Sequence, residues 1–504
     1  MKVLIANRGE IAVRVIRACR EMGYETVAVY SECDRDAMHV RLADQACPIG
    51  SGPAVDSYLR IDRIVDAAVR SGATLVHPGY GFLAENEAFA QACIDAGLTF
   101  VGPTARAIAL MGGKTAARDV AVSVGVPVVP GTAEPFGEDA GDADVVAAAE
   151  RVGYPLLVKA VAGGGGKGMR TVASAGALLP ALRLARSEAR SAFGDGAVYL
   201  ERQIVDPRHV EIQLLGDHHG TVVPFVEREC SIQRRHQKVV EEAPSAALDP
   251  GTRLAMAEAA SRVARAAGYT NAGTIEFLLD ASGAFYFLEM NTRLQVEHPV
   301  TEAVTGIDLV QWQLRIAQGE RLTIAPEQAL TPRGHAIECR IYAEDPDRGF
   351  LPSPGLVRGV AVPGGPGIRD DRGVEPGFEI PLFYDSLISK LVVWGESRQQ
   401  AVQRLTRALD EYRVAGVRTT LPFFRWLVRQ PAFEAGRFST TYLDRVLAAR
   451  DAPFVEPTDE DARDAAVAAA LSAWFLAHRA ATADAAPAAG HTAWRRAART
   501  ESLR

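Results

Sequence analysis

The sequence predicts a chain of mixed α/β and α+β class, with a doubly wound parallel opening, a central region of strands around a glycine-rich flap, and a mostly antiparallel end. Three observations carry this reading. Residues 2–30 run from a short apolar strand (KVLIAN) through a helical pattern closed by Gly23 to a second strand, the β-α-β start of a doubly wound sheet. Residues 273–279 and 284–290 read as two strands joined by the turn signal Asp280-Ala281-Ser282-Gly283. Four consecutive glycines, residues 163–166, stand between a Val-rich strand at 154–160 and a resumed strand at 169–172.

The totals bound the answer. A length of 504 residues suggests about three domains. Apolar and charged contents of 48% and 23% are ordinary for a globular protein, so neither disorder nor a fibrous chain is indicated. The formal net charge of −7 argues against a general nucleic-acid surface and leaves room only for a local basic pocket. Cys19, Cys33, Cys47, Cys93, Cys230 and Cys339 show no C-x-x-C pair and no metal-ligand spacing. They are expected to be reduced and mostly buried, as in a cytoplasmic protein. No signal-peptide pattern opens the sequence, and no run approaches the roughly 20 apolar residues of a membrane span, so no membrane partner is expected.

The opening unit is Rossmann-like in pattern, but its first turn carries one glycine (Arg8-Gly9) rather than G-x-G-x-x-G. That disfavours a dinucleotide site. A strand at 73–76 leads into HPGYGFLAEN, a tight loop holding His77, Tyr80 and Glu85, with a helix expected from Ala84. Residues 112–124 read as one helix with Lys114 in its first turn, and the turn-rich VGVPVVPGT marks entry to a second domain.

There Lys159 ends a strand that feeds AGGGGKGMR. Consecutive glycines let backbone N–H groups approach phosphates closely, and a flap of this kind excludes water on closing. A Walker A loop is excluded, because Gly168 follows Lys167 where Ser or Thr belongs. The strand at 198–204 surrounds Glu201 with apolar residues suited to an adenine slot, and His209 and Glu211 lie on an alternating strand, HVEIQLLG. In ECSIQRRHQKVVEEAP, the charges taken alone read as a solvated face, and taken with Lys238 as an anion pocket. Cys230 has no identifiable base beside it and reads as packing.

In the hairpin, Glu276 shares a face with Thr274 and Leu278, Glu289 lies with Phe285 and Phe287, and Asn291 follows two residues on. Carboxylates amid so many apolar neighbours are costly to bury unpaired, and a hard cation such as Mg2+ accounts for them. Behind them, Arg293 offers a planar fork for an anion, with Glu297 four residues on as a proton acceptor. A helical segment follows from 310 to 318, then a linker at 326–332. A third, largely antiparallel domain opens with GHAIECRIYAEDP, and Ile388, Leu391 and Val393 are assigned to its core beside a helix at 398–412. Beyond about residue 447 the chain is Ala-rich, with an amphipathic stretch at 465–479 and a basic end containing Trp494.

The segment EMNTRLQVEHPVTE resembles the active-site signature of biotin carboxylases, members of the ATP-grasp superfamily, and the resemblance runs through several motifs from Met1 to about residue 447. It implies a Rossmann-like domain (1–112), an ATP-grasp domain (113–330) with a glycine-rich lid at about 131–204 and a C-terminal domain (331–447). The remaining tail (448–504) reads either as a frayed end or as a segment that docks a partner subunit.

The implied reaction is ATP-dependent phosphorylation of bicarbonate to carboxyphosphate, whose CO2 passes to N1′ of biotin. The resemblance implies that Lys114, Lys159, Gly165, Gly166, Glu201, Arg202, Gln203, Ile204, His209, Gln233 and His236 bind nucleotide. Glu276, Glu289 and Asn291 are implied for Mg2+ or Mn2+ and phosphates. Lys238, Arg293, Gln295, the Val296 backbone and Glu297 are implied for bicarbonate, with Glu297 as base, and Arg340 for the biotin enolate. Two departures stand out: Gly113 where relatives often have an acid, and Arg202 for a common Lys.

No A-M-K-M biotinylation site occurs. The expectation is therefore a biotin carboxylase that works on a separate biotin carboxyl carrier protein, beside a carboxyltransferase subunit, in a homodimer or larger complex. Acetyl-CoA or propionyl-CoA carboxylation is the expected pathway. The alternatives are the biotin carboxylase component of a pyruvate carboxylase and another ATP-grasp ligase.

Overall fold

The computed structural model describes residues 1–454 apart from 133, 138 and 162–168, together with 463, 466–475 and 478. Met1–Asp451 form one compact unit and Ala452–Arg504 a second. Gly165 and Gly166 of the expected flap, and most of the tail including Trp494, lie outside the described residues. Within the second unit, residues 466–475 are helical, with Val467, Leu471, Trp474 and Phe475 exposed.

The first unit opens as the sequence pattern predicts. Strands β1 (Lys2–Ile5), β2 (Glu25–Ser31), β3 (Gln45–Gly50), β4 (Leu75–His77) and β5 (Thr99–Phe100) form a parallel sheet in the order β3-β2-β1-β4-β5. Apolar runs fill β1, β2 and β4 because the middle of a parallel sheet is covered on both faces, whereas the edge strand β3 is largely open. The helix Gly9–Glu21 covers one face through Ile11, Val15 and Ile16. The next helix of note starts at Glu87 rather than Ala84, because the Asn86 side chain caps it by accepting from the Phe89 N–H. The helix expected at 112–124 runs Lys114–Ser123 with Gly113 at its N-cap, behind a separate helix Ala105–Gly112, and Lys114 is a first-turn residue as expected.

A three-stranded sheet in the order β7-β6-β8 follows, built from β6 (Leu156–Ala160), β7 (Met169–Val172) and β8 (Val198–Arg202). It packs on the helices Asp142–Val152 and Ala175–Phe193 through Val145, Leu178 and Leu182. The largest sheet has nine strands. Its members are β9 (Arg208–Gly216), β10 (Val222–Pro224), β11 (Arg228–Arg234), β12 (Gln237–Ala243), β13 (Asn271–Leu279), β14 (Phe285–Asn291), β15 (His335–Tyr342), β20 (Ile368–Arg372) and β22 (Leu387–Gly395). Its path is β14-β13-β9-β11-β12-β15-β22-β20, with β10 beside β9. Short pairs complete the unit: β16 (Glu344–Asp345) with β17 (Leu351–Pro352), β18 (Gly355–Leu356) with β21 (Glu379–Ile380), and β19 (Gly359–Ala361) with β23 (Arg413–Ala415).

Three local expectations change here. Strand β9 is buried on both faces because it is a middle strand, so its alternation separates an apolar face from a polar interior rather than from water. The charge run after Glu229 is a hairpin whose strands β11 and β12 are mostly buried, not a solvated face; only the turn at Arg235 and His236 is open, and both adopt positive φ. The segment read as a linker at 326–332 contains a short helix, Pro326–Leu330, started by its proline. Ile388, Leu391 and Val393 are buried as expected.

Candidate active site

Antiparallel register places a row of charge across four strands. Glu289 on β14 faces Glu276 on β13, Glu276 faces Glu211 on β9, and Glu211 faces Arg228 on β11. Register partners project to the same face, so three carboxylates and one guanidinium line up in a mostly buried band. Asn291 joins by pairing with Thr274, and its Nδ2 donates to Glu276 Oε1 at 2.8 Å.

Lys238 on β12 neutralises much of this row. Its Nζ lies 2.6 Å from Glu211 Oε2, 2.8 Å from Glu276 Oε1 and 2.7 Å from Glu297 Oε1. Burial works against ionised carboxylates, yet Lys238 overrides it and holds Glu276 well below the usual range, aided by His209. Glu297 is also lowered: burial and Glu211 oppose its charge, while Lys238, Arg340 and Arg228 favour it. His209 Nε2 sits 3.2 Å from Glu276 Oε2. Despite the cost of burial, that carboxylate lifts His209 to about 9. Glu289 differs, because burial and then the charge of Glu276 opposite push it up, against Lys114.

The turn after β14 supplies the second half. Glu297 is buried at the N-cap of the helix His298–Thr305, and Arg340 on β15 donates to its Oε2 at 3.0 Å. Arg340 also lies 2.5 Å from Glu241, whose carboxyl burial raises to about 7 against the pull of that guanidinium. Gln295 donates to Glu276 at 2.8 Å and accepts from Arg228 at 2.9 Å. Arg293 donates to Glu85 at 2.8 Å and to Asn291 at 3.0 Å. The Val296 carbonyl accepts from Lys390 at 2.8 Å. Lys238, Gln295, Glu297 and Arg340 thus reach one locus from β12, β15 and a single turn, with Arg293 joined to it through Asn291 and the Val296 carbonyl turned instead to Lys390.

The remaining nucleotide candidates divide. Lys159 and Glu201, on neighbouring strands of the smaller sheet, are ion-paired, and Arg118 reaches the same carboxylate at 3.4 Å. Arg202 ends β8 exposed; Gln203 and Ile204 follow it outside the strand, half-buried. Gln233 is buried with Nε2 on the Cys230 carbonyl at 2.8 Å, whereas His236 stands on the open hairpin turn. Cys230 is buried, and burial pushes its thiol well up, which fits packing rather than nucleophilic use.

Several residues were missed or left without a role by sequence reasoning. Arg228 is fully buried and donates to Glu211, Gln213, Thr301, Thr274 and Gln295. An Arg next to Glu229 in a charged run looks solvated, and only its register opposite Glu211 reveals otherwise. Lys390, Glu241 and Arg118 sit in stretches that read as ordinary strand or helix. Glu85 was visible in its loop, but its partner Arg293 lies 208 residues away.

A carboxylate row on the large sheet, a separate three-stranded sheet and the glycine run at 163–166 in the sequence between its first two strands fit the ATP-grasp class of ligases. Family models agree along the chain. "Biotin carboxylase, N-terminal domain" matches residues 1–108, "Carbamoyl-phosphate synthase L chain, ATP binding domain" residues 113–325, and "Biotin carboxylase C-terminal domain" residues 338–445. The biotin carboxylase of a Nostoc species is 51% identical over 445 residues, covering 88% of this chain and 99% of that one. A pyruvate carboxylase subunit of Methanothermobacter thermautotrophicus is 50% identical, covering 91% and 93%. The crystallised biotin carboxylase domain dimer of Hydrogenobacter thermophilus 2-oxoglutarate carboxylase, in complex with MgADP, ADP and bicarbonate, superposes with a TM-score of 0.83 at 47% identity, covering 91% and 99%. The chain belongs to the biotin carboxylase family, enzymes that are ATP-dependent carboxylating ligases.

Proposed function

We propose that the chain phosphorylates bicarbonate with ATP and carboxylates biotin presented on a separate carrier protein. The observation that carries this reading is the double hold on Glu297, with Lys238 on one oxygen and Arg340 on the other. Lys238, Arg293, Gln295 and the Val296 backbone bind bicarbonate. Glu297, kept ionised, accepts its proton as the anion attacks the γ-phosphate. Fixing a weak, hydrated nucleophile in line supplies much of the rate. Arg340 then faces the ureido oxygen of biotin and favours the deprotonated nitrogen.

The donor set also fits a divalent cation. Burial, and then the charge of Glu276 opposite, raise Glu289, and a cation held by Glu276, Glu289 and Asn291 would add positive charge there. Mg2+ or Mn2+ there would neutralise phosphate oxygens during transfer. Lys114, Lys159, Gly165, Gly166, Glu201, Arg202, Gln203, Ile204, His209, Gln233 and His236 are assigned to nucleotide, with residues 131–204 as the lid. The domains read as 1–112, 113–330 and 331–447, with a docking tail at 448–504.

The pathway we favour is the first half-reaction of acetyl-CoA or propionyl-CoA carboxylation, with a biotin carboxyl carrier protein and a carboxyltransferase as partners. The 50% identity to a component of a pyruvate carboxylase supports a second reading, in which pyruvate is the final acceptor. A homodimer is supported by the dimeric relative. Among the described residues no helix is long and apolar enough to cross a membrane, and we place the enzyme in the cytoplasm.

The test is ADP release by the purified chain with and without bicarbonate and free biotin. Bicarbonate-dependent, biotin-stimulated turnover is the expected outcome. ATP turnover indifferent to both would point to another ATP-grasp ligase.

A further inference from the structure

Lys390 is fully buried in the middle of β22, where the register sets it between Arg340 on β15 and Asp371 on β20. A buried ammonium is costly unless its protons find acceptors. Here Nζ donates to the Val296 carbonyl at 2.8 Å and lies 3.1 Å from Glu10 Oε1, with the Tyr80 ring 5.8 Å away. Tyr80 in turn donates its hydroxyl to the same Glu10 oxygen. Glu10 is itself fixed, because the chain passes so close that a Cβ on Gly373 would come within 2.4 Å of the Glu10 nitrogen.

The acceptor is the informative part. The Val296 carbonyl belongs to the peptide that carries the Glu297 N–H, so a donor on that oxygen fixes the plane from which the Glu297 side chain departs. The preceding carbonyl, of Gln295, is held independently by His298 Nδ1 at 2.8 Å. Both carbonyls of the Gln295–Glu297 turn are therefore held, while the Gln295 and Glu297 side chains reach Glu276 and Lys238. A lysine spent on a main-chain carbonyl, rather than on the nearby Glu338 or Asp371, is suited to holding geometry.

We propose that Lys390 is a positioning residue for the bicarbonate pocket. It braces the Val296 carbonyl against Glu10 and so sets the backbone and Glu297 geometry that bicarbonate meets. The inference rests on the functional reading above. Lys390 touches no reacting atom, and ATP, bound along a different set of side chains, is indifferent to it.

The experiment measures separate KM values for bicarbonate and ATP in wild type, Lys390→Met and the double variant Lys390→Met/Glu10→Gln. The double variant removes Lys390 and Glu10 together, so Glu10 is not left as an orphaned carboxylate, and it carries the test where the single variant fails to fold. The expected result is a rise of at least about tenfold in bicarbonate KM, as for a lost charge-assisted hydrogen bond, with ATP KM within about twofold. An unchanged bicarbonate KM, or an equal rise in both constants, would overturn the inference while leaving the function standing. Wild-type turnover independent of bicarbonate would overturn the functional reading and the inference with it.

Discussion

Arg340 and Glu297 meet at 3.0 Å across the pocket floor, one from the middle of strand β15 and the other from the cap of a helix 43 residues earlier in the chain. The contact ties the proposed base to the residue assigned to biotin. The two half-reactions therefore share a boundary that mutation can separate.

Replacing the base addresses the first half. Glu297→Gln keeps the side-chain shape but removes the proton acceptor, and bicarbonate-dependent turnover should fall by about 10²- to 10⁴-fold. Nucleotide affinity, measured by calorimetry, should stay within a few-fold. Because Lys238 and Arg340 hold Glu297 below the ordinary carboxylate range, the wild-type rate should show no loss from this group until the pH drops below that range. Wild-type rates in the variant would remove Glu297 from the role.

Arg340→Ala addresses the second half. Bicarbonate-dependent ATP hydrolysis should persist within about tenfold, while carboxylation of biotin should drop by about 10²-fold or more, the usual cost of a lost oxyanion donor. Parallel assays of ADP and carboxybiotin would read the ratio. An equal loss in both would place Arg340 at the earlier step.

A pH effect follows from Glu10. Burial raises its folded pKa to about 7 from an ordinary 4.5, although Lys390 opposes this. A carboxyl raised on folding binds its proton more tightly in the native state. Its contribution to stability is thus full below about pH 4.5, falls as the pH rises to about 7, and is constant above. The loss is on the order of 3 kcal/mol across that window. Urea unfolding at pH 5 and pH 7.5 should show a smaller difference for Glu10→Gln than for wild type. An undiminished difference would show that Glu10 is ionised in the native protein throughout.

The sequence carried the opening sheet, the hairpin and the turn from Arg293 to Glu297 because each is local. Periodicity, turn residues and short spacings are properties of neighbouring positions. It did not carry the partners of those residues. Lys238 meets Glu276 and Glu297 only after β9, β11 and β12 pair, and Lys390 meets Val296 across 94 residues. The same limit explains why the charge run, taken alone, reads as a solvated face, since composition does not reveal that β11 and β12 are inside a nine-stranded sheet. The polar interior of a sheet looks, residue by residue, like a surface.

Arg228 gives that limit an energetic form. Its guanidinium makes five hydrogen bonds, to Glu211 at 2.5 Å, Gln213 at 2.9 Å, Thr301 at 3.0 Å, Thr274 at 3.1 Å and Gln295 at 2.9 Å, with no exposed surface. Arg228→Ala would leave Glu211 with Lys238 at 2.6 Å and His209 at 3.7 Å, and strip a donor from four neutral acceptors. Breaking a buried ionic cluster from one side costs about 3–5 kcal/mol, and chemical unfolding should report a loss in that range. Arg228→Met keeps apolar volume without the charge and should recover only part of it, because Glu211 remains ionised and buried. Gln295 would also lose the donor that fixes its amide, so bicarbonate KM should rise in the surviving folded enzyme. A loss below about 1 kcal/mol would mean that water enters and satisfies the row, and the band of charge would then be a hydrated channel rather than a dry, preorganised floor.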